Sequence, residues 1–110
     1  MSTNSMDIST LKGFLDYLKL RIEMLPKREI GYLEAVVTGY TFAKYDEMKW
    51  FSDFANFVAL KFGHEPSSKG WKSLIMEEYD NNEEKAIDAF FELFDEYAEL
   101  NKNNYRQQNV

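Results

Sequence analysis

A chain of 110 residues with a formal charge of -6 has room for one domain, and at that length folding buries about two thirds of the surface of the unfolded chain. Nine Phe, seven Tyr and two Trp supply ample material for a core, which argues against disorder for the bulk of the chain. The absence of cysteine excludes disulfides, thiolate zinc sites and cysteine nucleophiles.

The segment Met1 to Asp7 has no basic stretch followed by an apolar run, and nowhere do about 18 apolar residues run together. Neither a secretion signal nor a membrane span is expected, and a cytoplasmic location fits. Six apolar positions, Leu11, Phe14, Leu15, Leu18, Ile22 and Leu25, then recur at steps of three and four, the period of one helical face. They predict a first helix that Asp7 or Ser9 can cap. It should end near Leu25, because Pro26 lacks an amide donor and its ring clashes with the preceding turn. A second face follows in Tyr32, Leu33, Val36, Val37 and Tyr40. Two glycines and three β-branched residues weaken its local propensity, so packing must hold it.

Asp46 is placed to cap a third helix, with Tyr45 before it and Trp50 four positions inside at the spacing of an apolar clamp. Phe51, Phe54, Ala55, Val58 and Phe62 share its face, Trp50 and Phe57 broaden it, and Gly63 supplies the left-handed residue that favours a helix stop. Two serines, Ser67 and Ser68, can cap a short fourth helix in which Trp71, Leu74, Ile75 and Tyr79 align, and Asp80, Asn81 and Asn82 break it. The last helix opens on Asn81 and Glu84 in the spacing of a reciprocal cap. It continues through Ala86, Ile87, Phe90, Phe91, Phe94, Tyr97 and Ala98. The pattern as a whole predicts an all-α, single-domain bundle of about five helices, monomeric or weakly dimeric. A flexible N-terminus over residues 1–6, a helical domain over 7–101 and a flexible tail over 102–110 complete the expected layout.

Signatures of catalysis are sparse. His64 is the single histidine and lies in an expected turn beside Gly63 and Pro66, where an exposed loop residue is the plainer reading than a catalytic one. No glycine-rich phosphate loop is present. A two-metal bundle site would want Glu-x-x-His pairs pointing inward, and that requirement fails, so no metal, cofactor or enzymatic activity is expected.

Charge is distributed unevenly. Glu77 through Glu99 holds ten acidic residues against Lys85 alone, a balance that would repel nucleic acid and anionic membranes. On the last helix Glu84, Asp88, Glu92, Asp95 and Glu99 cluster about 140° from the apolar centre at 100° per residue. A solvated face that keeps the protein soluble is one reading. The other is a docking surface for a basic protein. Like charges at these spacings weaken a helix by a few tenths of a kcal/mol per pair, and the stripe has no interleaved basic residues to relieve them. The candidate partner-binding residues are therefore Glu77, Glu78, Asp80, Glu84, Asp88, Glu92, Asp95 and Glu99. Among the aromatics, Trp50, Trp71, Phe51, Phe54, Phe90 and Phe94 belong to the core, whereas Tyr17, Phe42, Phe57 and Tyr79 sit near face edges and could anchor an interface.

The runs YLEAVVTGYTFAKY, WFSDFANFVALKFG and GWKSLIMEEYDNNEEKAIDAFFELFDEY resemble small helical immunity proteins that accompany bacterial polymorphic or contact-dependent growth-inhibition toxins. The resemblance spans about residues 30 to 97 and is carried most distinctively by Gly70, Trp71, Leu74, Ile75, Ala86, Phe90, Phe91 and Leu93. These are mostly core positions, which speak for a shared fold more than a shared partner. It implies a cytoplasmic protein that binds and neutralises its cognate toxin domain, with a basic nuclease as one candidate toxin. Two other readings stand beside it: a helical regulatory adaptor that binds another cytosolic protein, and a carboxylate-metal enzyme of bundle architecture.

Overall fold

The computed structural model describes residues 7–65 and 68–102, and among them the fold is all helical. The elements are α1 (Leu11–Leu20), a single 3-10 turn (Ile22–Met24), α2 (Ile30–Ala43), α3 (Tyr45–Phe51), α4 (Phe54–Lys61), α5 (Trp71–Glu78) and α6 (Glu83–Leu100). The expected bundle of about five helices is present, with the third broken into α3 and α4. Residues 1–6, and 103–110 of the tail expected over 102–110, lie outside the described residues, whereas Lys102 is described.

The first helix starts and stops differently from the prediction. Its cap is Thr10, whose hydroxyl accepts from the Gly13 amide at 3.0 Å, while Asp7 accepts instead from the Ser9 amide and hydroxyl. That local turn lays the chain across the start of α1: a Cβ added at Gly13 would sit 1.8 Å from the Asp7 carbonyl oxygen, so only glycine allows the approach. At the other end Arg21 leaves helical geometry, the 3-10 turn follows, and Leu25 adopts an extended ψ of 142°. The pyrrolidine of Pro26 disfavours the α conformation for the residue before it, which accounts for Leu25. Leu11, Leu15, Leu18 and Leu25 are nevertheless all buried, as the apolar spacing requires.

α2 buries Ile30, Leu33, Val37 and Thr41. Its own cap position, Glu29, gives no side-chain bond, and the free Ile30 amide is met at 2.8 Å by Glu83 from α6. α3 likewise lacks the expected Asp46 cap: Lys44 occupies the cap position. Nor does Tyr45 clamp against Trp50, because Tyr45 is 66% exposed while Trp50 is buried. The break between α3 and α4 falls at Ser52 and Asp53, two residues whose side chains compete for nearby backbone and turn partners. Ser52 donates back to the Lys49 carbonyl at 2.8 Å, and Asp53 accepts from Asn56 at 3.0 Å.

α4 ends as predicted. Gly63 has φ +80°, with its amide on the Leu60 carbonyl and the His64 amide on that of Ala59, the paired bonds of a left-handed helix stop. α5 closes with the same bond pattern, the Asn81 amide reaching the Met76 carbonyl at 2.8 Å. Here Asp80 and Asn81 hold φ of 55° and 62°, a conformation that Asp and Asn tolerate better than most residues. The N-terminal cap position of α5 is Gly70, without a side-chain bond. Ser68 is thus not the cap, and Ser67 lies outside the described residues.

The core is one contiguous cluster. α6 runs against α2, α4 and α5 and buries nine residues, from Ala86 to Ala98. Around it the rings interlock: Phe54 meets Trp71, Phe90, Phe94 and Tyr97 edge-on at centroid distances of 5.4 to 6.0 Å, and Trp71 lies 4.7 Å from Phe90. The Tyr97 hydroxyl donates to the Trp50 carbonyl at 2.5 Å, tying the end of α6 to α3. No helix among the described residues is long and apolar enough to cross a membrane.

Candidate functional site

The outer face of α6 is aimed by the turn before it. After Asp80 and Asn81, the Asn82 side chain caps the helix by accepting from the Lys85 amide at 3.0 Å. Asn82 thus replaces the expected Asn81–Glu84 pair, because Asn81 is already committed to closing α5. From this start the helix presents its apolar residues inward and its carboxylates outward. Glu77, Glu78, Asp80, Glu84, Asp88, Glu92 and Glu99 are exposed, and Asp95 is half-buried.

Tertiary structure divides these carboxylates into two sets. Asp88 meets Arg28 at 3.4 Å, Asp95 meets Lys12 at 3.6 Å and Lys19 at 3.8 Å, Glu99 meets Lys102 at 2.9 Å, and Glu77 meets Lys69 at 2.8 Å. Relief for α6 therefore comes from α1, the segment before α2 and Lys102 just past its own end, and Lys69 does the same for Glu77 of α5. Two groups register this pairing. The hydrogen bond from Lys102, with its positive charge, holds the Glu99 carboxyl below the usual carboxylate range. Burial pushes Lys12 down, but Asp16 at 2.7 Å and Asp95 more than offset it and leave the ammonium above its ordinary value.

Glu78, Asp80, Glu84 and Glu92 form the second set and carry no ion pair among the described residues. Their positions are not equivalent. Glu84 lies in the first turn of α6, where the helix dipole favours a negative charge. Glu78 is the last residue of α5, where the same dipole opposes it. Helix stability thus accounts for Glu84 and leaves Glu78 unexplained.

Two carboxylates that the sequence did not single out have structural duties. Glu47 is only 3% exposed, and its Oε1 accepts from the Leu11 amide at 2.6 Å, closing the start of α1. Glu83 does the same for α2. A signal for Glu47 exists in the sequence: it lies three and four residues before Trp50 and Phe51, on the apolar side of its helix. Such a placement marks a carboxylate that must find a partner inside. Nothing local announces Glu83.

Of the edge aromatics, Phe42 is 78% exposed, whereas Tyr17, Phe57 and Tyr79 are half-buried. Phe57 packs on Phe54 and Tyr97, and Tyr79 on Phe62. Phe42 and Tyr45 bracket the α2–α3 corner as two exposed rings. His64 is exposed at the α4 stop. Among the described residues no group of three or more His, Asp or Glu side chains is arranged to hold a metal ion.

No protein-family model matches the chain, and neither a curated protein nor a solved structure matches it.

Proposed function

We propose that this chain is a cytoplasmic inhibitor of the immunity type, which binds a basic toxin domain through the carboxylates that its own fold leaves unneutralised. The observation that supports this reading is the division of the acidic face. After six basic side chains have paired with neighbouring carboxylates of α5 and α6, Glu78, Asp80, Glu84 and Glu92 have no ion pair among the described residues and are offered to an outside cation. Glu78 does so against the dipole of its own helix. A basic partner converts that repulsion into attraction and steers the encounter. The resemblance to immunity proteins supplies the partner class, and no catalysis is required.

The division also changes the experiment. Reversing Asp88 or Asp95 would set lysine against Arg28, or against Lys12 and Lys19, and so disturb the fold as well as the surface. Reversal of Glu78, Glu84 and Glu92 to lysine leaves those pairs intact. Against a cognate basic toxin domain, the triple variant is expected to associate at least tenfold more slowly while keeping its helical circular dichroism and cellular abundance. Binding by the unaltered protein is expected to weaken as salt rises. An unchanged association rate at low salt would refute the acidic interface.

A regulatory adaptor is the second reading, favoured by Phe42 and Tyr45. Binding through these rings would persist at high salt and be lost in Phe42→Ala.

A further inference from the structure

Of the grooves lined by described residues, three contain both charges. The first, beside Trp50, sets Lys12 and Lys102 against Asp95 and Glu99. The second, at the α2–α3 corner, is lined by Lys44 together with Asp46 and the buried Glu47. The third, between α1 and α6, is lined by Lys19, Arg28, Asp88 and Glu92, with Arg28 held by Asp88 at 3.4 Å and Glu92, which also borders the next groove, making no ion pair with either cation. A fourth groove of ≈ 340 Å³ lies between the ends of α4 and α5 and the middle of α6, and there the balance differs. Glu92 and Glu96 stand over it with Lys61 as the single cation among its lining residues, and Lys61 is already held by Glu96 at 3.0 Å. Glu92 therefore faces this groove without an ion pair among the described residues.

The rest of the lining is apolar. Ala89 and Leu93 come from α6, and Phe62 and Tyr79 form an edge-on pair with centroids 6.2 Å apart. Both rings are half-buried. A carboxylate beside aromatic and aliphatic walls matches one kind of side chain, a long alkyl stem ending in a cation. The stem covers apolar surface, the head meets the acid, and a planar head also stacks on a ring. Guanidinium satisfies all three conditions and can engage a carboxylate through two parallel bonds, whereas ammonium is a point charge that holds its water more tightly.

We propose that this groove is the anchor pocket for an arginine side chain of the basic partner, set against Tyr79 and Glu92. The assignment rests on the acidic docking surface proposed above and adds where its specificity lies. Long-range attraction comes from the unneutralised carboxylates together, and the choice of arginine over lysine comes from the Phe62–Tyr79 wall.

The test uses the full chain and two probes, a hexa-arginine and a hexalysine peptide, followed by nuclear magnetic resonance at low salt. With hexa-arginine, shifts are expected to concentrate at Phe62, Tyr79, Ala89 and Leu93, and affinity is expected to exceed that for hexalysine about two- to fivefold, the range of an exposed cation–aromatic contact. Tyr79→Leu, which keeps an apolar wall, is expected to abolish the arginine preference while leaving hexalysine binding unchanged. Glu92→Gln should weaken both peptides. Equal affinity for the two peptides, or shifts centred on Glu84 and Asp88 instead, would overturn the arginine pocket while leaving the acidic surface in place. Absence of salt-sensitive binding by either peptide would overturn both.

Discussion

The two halves of the bundle are fastened by different physics. From α3 onward the interior is aromatic, with Phe54 at its centre in contact with the rings of Phe51, Phe57, Trp71, Phe90, Phe94 and Tyr97. In α1 and α2 it is aliphatic, built on Leu11, Leu15, Leu18, Ile30, Leu33 and Val37, and the helices are held to the remainder by polar cross-links. Glu47 closes the start of α1, Glu83 closes that of α2, and Lys12 and Lys19 reach Asp95. Ring packing is insensitive to salt and pH within the ordinary range. Carboxylate caps and ion pairs respond to both, so the N-terminal half should be the first part of the fold to loosen.

The largest expected effect falls on the ring region. Phe54→Ala removes the shared neighbour of six rings at a fully buried site and should cost about 3 to 5 kcal/mol in denaturant unfolding, since so large a cavity collapses only partly. A loss below about 1 kcal/mol would mean that the rings repack without a common centre.

Glu47→Ala tests the other half. It leaves the buried Leu11 amide without its acceptor and should cost about 1 to 3 kcal/mol. The less buried Glu83→Ala should cost about 0.5 to 2 kcal/mol, the range of a lost cap. Hydrogen exchange locates the damage: α1 is expected to lose protection while α4 and α6 keep theirs. Uniform loss over all helices would show that the two halves unfold as one unit and would end the distinction.

Tyr97 ties the ring region to alkaline pH. Its hydroxyl is buried, and Asp53 adds a nearby negative charge, so its pKa is pushed up to about 12 from an ordinary 10. The folded state therefore binds the proton more tightly than the unfolded state. Stability from this group is complete below pH 10 and falls as pH rises from 10 through about 12. Tyr97→Phe should cost only about 0.5 to 1.5 kcal/mol at neutral pH, the worth of one hydrogen bond, and should flatten the alkaline slope. A slope unchanged in that variant would assign alkaline unfolding to other groups.

The fold was legible where the deciding information is the order of residues along one helix. Steps of three and four bring side chains to one face whatever lies beyond, so the buried positions of α1, α5 and α6 follow from the sequence, as does the stop at Gly63. The acidic face of α6 was legible for the same reason. The caps were not: Thr10, Lys44 and Asn82 hold positions that local spacing gave to Asp7 or Ser9, Asp46 and Asn81. The division of the acidic face was hidden as well. Glu47 meets Leu11 across 36 positions and Glu83 meets Ile30 across 53, while Asp95 draws its cations from α1. Hydrogen bonds and Coulomb attraction depend on distance in space, and separation along the chain carries no record of it. Periodicity determined that α6 has an acidic side, and only the packing of α1 and its neighbours decided which of those carboxylates have no ion pair among the described residues.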